Sequence, residues 1–428
     1  MDLNIVKGDK KRVVIVGGGF GGLELAKKLD KSGLQVVLID KHNYHQFQPL
    51  IYQVASAGME PSSISFPFRK IFQHRSNFYF RKAEVKDVLP EQKTIRTNVG
   101  DITYDYLVIA AGATTNFYRN QNIESASLPM KSLREATAIR NTILGNIENA
   151  ITCTDKIERQ SLLNIVIVGG GATGVELAGV LAEMKKHIMP HDYPDLDSSL
   201  MNIYLIQGDN RLLPAMSEES SNAADHFLRS MGVNVILSKL VTDFKDRMVI
   251  LEDGSKISTR NFIWVSGITA VRFEGLTGDV TGPSGRLKVD CYNHVKGLDG
   301  VYAIGDIAWM TEDAKYPKGH PQLAQVAIQQ GRLLGQNIKR MEAGKKLIPF
   351  RYKDLGSMAT IGRNKAVAEF KTGKTQGFLA WVLWLIVHLR SILGIKNKMV
   401  VLLNWIWNYA NYKQSLRLIF NTGKPKQL

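Results

Sequence analysis

Six glycines at two identical spacings carry the clearest chemistry in this chain. Gly17, Gly19 and Gly22 form one G-x-G-x-x-G turn, and Gly169, Gly171 and Gly174 form another, 152 residues further on. In such a turn the first glycine permits a tight bend, the second lets the backbone approach a pyrophosphate, and the third packs helix on strand. The pyrophosphate then rests on unpaired N–H groups at the positive end of the helix. Two such sites in one chain imply electron transfer between two dinucleotides. Asp40 lies 23 residues after Gly17, where an acid hydrogen-bonds an adenosine ribose diol. The corresponding residue of the second site is Gln207, which binds a 2′-hydroxyl but does not repel a 2′-phosphate.

Those residues require strands and helices to hold them. The β-branched runs 13–16 and 165–168 precede the two turns, and helix-forming residues follow each. Residues 35–40 and 106–112 read as further strands of the first unit, with a hairpin at 94–103 between them. Residues 202–207, 249–257 and 262–267 repeat that order in the second unit, so the chain reads as a duplicated α/β unit with an added hairpin. Residues 130–153 read as a connecting helix. The segment 300–306 is another strand and turn, leading into a helix begun by Pro321 and running to about Met341.

The net charge of +16 is concentrated at the end of the chain, where residues 351–428 carry 13 Lys or Arg against Asp354 and Glu369. Such an excess fits an anionic surface. No nucleic-acid module is recognisable, and the interleaved residues are Trp and Leu, which favours lipid over nucleic acid. The apolar stretches 378–389 and 399–410 are too short to span a bilayer, which needs about 20 residues. Trp381, Trp384, Trp405 and Trp407 suit headgroup level, so the tail reads as a monotopic anchor lying in the interface. A core or dimer helix pair is the competing account. The first strand begins near Arg12, leaving little room for a leader and pointing to the cytoplasm. Cys153 and Cys291 are far apart and form no metal or dithiol motif, and no metal site is expected.

Taken together, the two turns, Glu176 after Gly174, Gly305-Asp306, the Ala-Gln-x-Ala-x-Gln run at 324–329 and the tail from Gly356 resemble a type II NADH:quinone oxidoreductase over essentially the whole chain. The resemblance implies an α/β fold of two Rossmann-like dinucleotide-binding domains plus a C-terminal membrane-anchoring segment. The implied division is 1–118 and 276–348 for FAD, 119–275 for the nicotinamide cofactor, and 349–428 for the anchor. FAD is expected on Gly17, Gly18, Gly19, Phe20, Gly22, Asp40, Lys41, Gly112, Asp306, Ala324 and Gln325. NADH is expected on Gly169, Gly171, Thr173, Gly174, Gln207 and Gly267, with NADPH not excluded because Gln207 stands where the NADH-using pattern has Glu. Glu176, read as lying in the first helical turn, is the expected catalytic residue at the nicotinamide–flavin contact. Gln325 and Gln329 share a helix face and are expected to meet a membrane quinone. The loop from His42 to Leu50 resembles the one beside the flavin ring, with no acid–base role assigned to His45.

The implied reaction passes hydride from NADH to flavin and electrons on to quinone, without proton pumping, at the cytoplasmic face of the inner membrane. Partners are then quinone and anionic lipid, with a homodimer as a further use of the tail. The alternatives are a sulfide:quinone oxidoreductase, which works through paired cysteines, another pyridine-nucleotide flavoprotein reductase, and a membrane-bound nucleotide sensor without turnover.

Overall fold

The computed structural model describes residues 3–411 together with Leu418 and Ile419. The remainder of the expected anchor, 412–417 and 420–428, lies outside the described residues. Two compact units are formed, one from residues 1–46, 65–114 and 268–355, the other from 47–64, 115–267 and 356–428. The division differs from the four expected segments in one consequential way. Residues 47–64 and the C-terminal segment belong to the same compact unit as the second glycine turn.

The first unit is built on a five-stranded parallel sheet in the order Val301–Ala303, Tyr106–Ile109, Arg12–Val16, Gln35–Asp40, Phe78–Lys82. A sheet covered on both faces needs nearly continuous apolar strands, and Val13, Val14, Ile15, Val37, Leu38 and Leu107 are all fully buried. The helix Phe20–Lys28 follows the first turn, and the long helix Ala324–Glu342 packs against it. Gly331 makes that approach close, since a Cβ there would overlap the Gly21 carbonyl. The hairpin of Thr94–Thr97 and Gly100–Thr103 forms as expected. The helix expected to start at Pro321 begins three residues later, at Ala324. Leu323 is extended, and the Gln322 side chain donates to the Asp306 carbonyl, which holds the preceding residues out of the helix.

The second unit repeats the parallel sheet, in the order Leu128–Pro129, Asn261–Trp264, Asn164–Val168, Asn202–Ile206, Val233–Ile236. The connecting helix Leu133–Thr152 opens with a capping box between Ser132 and Glu135. After the second turn comes the helix Ala172–Glu183, which continues as a π-helical turn, Met184–Ile188. Residues 357–376 form a three-stranded antiparallel sheet, Ser357–Gly362, Lys365–Phe370 and Gly373–Gln376. Gly179 lets the helix Ala172–Glu183 press on this sheet, because a Cβ there would overlap the Ile361 carbonyl. The helices Phe378–Ser391 and Ile395–Asn411 complete the unit. Among the described residues no helix is long and apolar enough to cross a membrane.

Candidate functional site

Both glycine turns have the stereochemistry of dinucleotide cradles. Gly17 and Gly169 take φ of +102° and +117°, and a Cβ on either would run into the backbone of Ala110 or Val265. A Cβ on Gly22 or Gly174 would overlap the carbonyl oxygen of Gly17 or Gly169, so the third glycine of each turn closes it. At Gly19 and Gly171, by contrast, a Cβ would meet nothing within 4 Å, which leaves open space where a pyrophosphate approaches. Neither following helix has a side-chain cap or an acid in its first turn, so the first N–H groups face outward for an anion. Gly22→Ala is expected to cost at least about 2 kcal/mol of stability through overpacking. Denaturant unfolding measures this, and the flavin content of the purified variant should fall with it.

In the first unit Asp40 ends its strand with Oδ2 accepting from the Gly18 N–H at 2.6 Å and Oδ1 from the His42 N–H at 2.7 Å. Burial raises its pKa, against those two bonds. Each oxygen retains a second lone pair for a ribose hydroxyl. His45 is buried, with Nδ1 2.9 Å from the Gly18 carbonyl, so that nitrogen carries the proton. Burial depresses its pKa to about 4, which makes it a neutral brace for the turn. Phe20 meets the His45 ring edge-on. Phe68 underlies Gly18 so closely that a Cβ there would overlap its ring, a contact the sequence did not signal. Lys41 is exposed, and Gly112 (φ +70°) faces open space.

The second unit substitutes an amide for the acid. Gln207 Oε1 accepts from the Gly170 N–H at 2.7 Å, and its Nε2 donates to Asp209 Oδ2 at 2.7 Å. Thr173 is exposed beside the open turn, and Gly267 (φ +78°) lies under the Tyr118 hydroxyl.

Glu176 is the fifth residue of the helix Ala172–Glu183, not part of its first turn as the sequence suggested. The helix begins at Ala172, before Gly174, so the cradle end is free of negative charge. The carboxyl instead lines a pocket within the second unit, with about 860 Å³ of empty space counting its open mouth. Burial raises its pKa to about 8, against a hydrogen bond from the Thr360 backbone and the nearby Trp384 indole. The Trp384 N–H itself has no acceptor in good hydrogen-bond geometry. Tyr52 and Gln53 form the facing wall. Gln53 donates to the Tyr52 hydroxyl at 2.9 Å and accepts from the Trp405 indole at 3.0 Å. Glu183 lies two turns along the same helix, its pKa also raised by burial, and accepts from the Arg363 N–H.

The tryptophans depart from expectation. Trp384 is 1% exposed, stacks on His388 at 4.1 Å and meets Tyr52 and Trp405. Trp381 stacks on Tyr409 at 5.4 Å. Trp381, Trp384 and Trp405 therefore wall the pocket, and Trp407, 58% exposed, is the one of the four that faces outward.

Gln325 and Gln329 share a helix face as the spacing predicts, but their side chains serve the backbone strap 353–355 in the first unit. Gln329 donates to the Lys353 carbonyl at 2.8 Å and accepts from the Lys353 N–H at 3.0 Å. Gln325 Oε1 accepts from the Leu355 N–H at 3.0 Å. Each end of the Gln329 amide thus makes one bond to the strap, leaving one N–H and one lone pair of the amide over. The buried Gln330, which the sequence reading passed over, accepts from the Gly305 N–H at 2.7 Å and fixes the turn that presents Asp306. Ala324 opens the helix beside that turn. Cys153 and Cys291 are both free, so the paired-cysteine chemistry of the sulfide reading finds no dithiol.

Comparison with known proteins agrees with this geometry. The family model described as pyridine nucleotide-disulphide oxidoreductase matches residues 11–331, and the NDH2 C-terminal domain matches residues 355–410. Type II NADH:quinone oxidoreductase Ndh of Mycobacterium tuberculosis is 33% identical over 423 residues, covering 95% of this chain and 89% of that protein. The internal alternative NAD(P)H-ubiquinone oxidoreductase A1 of Arabidopsis thaliana is 27% identical over 94% of this chain and 85% of its own length. Among solved structures, NDH2 from Plasmodium falciparum in complex with NADH superposes with a TM-score of 0.89 at 22% identity, over 96% of this chain and 100% of that one. The sulfide:quinone oxidoreductase of Aquifex aeolicus gives 0.70 at 18% identity, over 94% and 92%.

Proposed function

Since the chain belongs to the type II NADH:quinone oxidoreductase family, we propose that it oxidises NADH and reduces a membrane quinone through FAD, without pumping protons. FAD, when bound, accepts a hydride from NADH and hands two electrons to the acceptor. The observation that carries the reading is the pair of open glycine cradles, each with a strand-end side chain fixed to its turn.

Gly17, Gly19, Gly22, Asp40 and Asp306 would hold FAD. Gly169, Gly171, Gly174 and Gln207 would hold NADH. Each cradle supplies N–H groups to a pyrophosphate without competing acids in the helical turn, so binding fixes the dinucleotide before any chemistry. The quinone ring is assigned to the Glu176 pocket, supported by its aromatic walls, by the Glu176 carboxyl able to donate a proton and by the Tyr52 hydroxyl able to donate a hydrogen bond. Glu176 is neutral at pH 7, given a pKa near 8, and Tyr52 keeps its hydroxyl proton, its pKa being well above the usual value through burial. A neutral carboxylic acid in an apolar cavity is poised to donate to a quinone oxygen.

The apolar faces of the helices Phe378–Ser391 and Ile395–Asn411 would rest on anionic lipid at the cytoplasmic face of the inner membrane. Leu379, Ile386, Leu403 and Ile406 are exposed along them, with Arg390 and Lys396 exposed nearby.

Anaerobic titration tests the whole reading. NADH should bleach the yellow holoprotein, and a quinone added afterwards should restore its colour. The chromophore released on denaturation should chromatograph as FAD. FMN, no flavin at all, or a bleached protein that quinone leaves unchanged would each defeat the proposal.

A further inference from the structure

The two cradles differ in the side chain at the strand end, and the structure compensates for that difference two residues later. In the first unit Asp40 does two jobs at once: it accepts from the second residue of the glycine turn and brings a negative charge to the strand end. In the second unit Gln207 makes the equivalent bond to Gly170 but is neutral. Its other end is committed to Asp209, which is exposed and held 2.7 Å from the amide nitrogen. An amide has a fixed acceptor end and a fixed donor end. With Oε1 taken by the turn, Nε2 must face an acceptor, and the acceptor supplied is an ionisable acid.

We propose that Asp209, positioned by the Gln207 amide, is the residue that makes this chain select NADH over NADPH. The proposal rests on the assignment of the second turn to NADH made above. A ribose 2′-hydroxyl arriving at the strand end can donate to Asp209 or Gln207, whereas a 2′-phosphate meets a like charge. Neither of the neighbouring cations is paired with Asp209 among the ion pairs and hydrogen bonds of the described residues. Lys239 is paired with Asp253 at 2.8 Å, and Arg211 is turned to the Pro214 carbonyl at 2.9 Å. The neutral Gln207, read alone, leaves NADPH admissible. Asp209 restores the discrimination that the strand-end acid would have given.

The proposal also fixes the outcome of exchanging the two side chains. Gln207→Glu alone would place two carboxylates within hydrogen-bond distance, where an amide now bridges them, and would displace the Asp209 side chain. The double variant Gln207→Glu/Asp209→Asn keeps the total charge and returns the acid to the position Asp40 holds in the first unit.

Calorimetric titration of the FAD-loaded full chain with 5′-AMP and 2′,5′-ADP reads this end of the site without any turnover. Wild type is expected to prefer 5′-AMP by about tenfold or more, and Asp209→Asn to narrow that preference by about tenfold through tighter 2′,5′-ADP binding. The double variant should recover the wild-type preference, and the kcat/KM ratio for NADH against NADPH should move in parallel. An unchanged ratio in Asp209→Asn, with both nucleotides still binding, overturns the role of Asp209 and leaves the site assignment standing. Failure of 5′-AMP to compete with NADH in wild type overturns both.

Discussion

Glu176→Gln is expected to slow reduction of quinone by about 10²-fold, the scale on which a positioned general acid acts, while bleaching by NADH changes much less. Gln fills the same volume and still donates a hydrogen bond, but it cannot surrender a proton. The wild-type rate should be highest below the carboxyl's pKa of about 8 and fall as pH rises through it. The variant should lack that inflection. A linked effect on stability has a definite sign. The carboxyl is a weaker acid folded than unfolded, so its contribution is fully present below its ordinary value of 4.5 and is lost as pH rises toward 8. The variant should therefore gain on wild type across that window. Stopped-flow measurement of each half-reaction from about pH 6 to 9, with denaturant unfolding over the same range, tests both. A Gln variant that keeps the wild-type pH profile would remove Glu176 from the proton's route.

Local pattern made the cradles legible. A β-branched run before G-x-G-x-x-G fixes strand, turn and helix within a dozen residues, and the expected strands formed around each turn, whereas Phe78–Lys82, Leu128–Pro129 and Val233–Ile236 entered the two sheets without having been expected. The strand-end positions Asp40 and Gln207 were legible for the same reason, but their bonds to Gly18 and Gly170 depend on how the turn curls back. The pocket was not legible. Its walls come from residues 52–53, 176–188, 360–363 and 381–409, brought together by the folding of the unit. An apolar helix conceals which of its faces is core, so Trp384 and Trp407 looked alike in sequence although one is buried and the other exposed. Gln330 carried a signal that went unread. It falls on the stripe of Val326, Leu334 and Ile338, at four-residue intervals, and a polar residue in a buried stripe needs a partner. Gln329, one residue earlier, is off that stripe, and its partner is the neighbouring strap.

Substituting Glu for Leu379, Ile386, Leu403 and Ile406 together is expected to abolish attachment to anionic vesicles while oxidation of NADH with a water-soluble acceptor stays within about twofold. These side chains are 56–59% exposed, so changing them leaves the packing of the unit intact. Immersing such a side chain in lipid is worth about 1.5 kcal/mol or more, and each Glu also faces anionic headgroups. Four substitutions should therefore weaken vesicle binding by at least about 10³-fold. Truncation after Gly377, which the apolar run invites, is the poorer experiment. It would strip Trp384 from the pocket and Ala380 from its packing on Ala366 and Ala368, so a dead product would not separate anchor from core. Co-sedimentation with vesicles, together with turnover using long-chain quinone in the same vesicles, decides the matter. Retained binding by the quadruple variant would show that this face is not the anchor. A wild-type dimer that becomes a monomer on substitution, with no change in vesicle binding, would assign the face to a second copy of the chain.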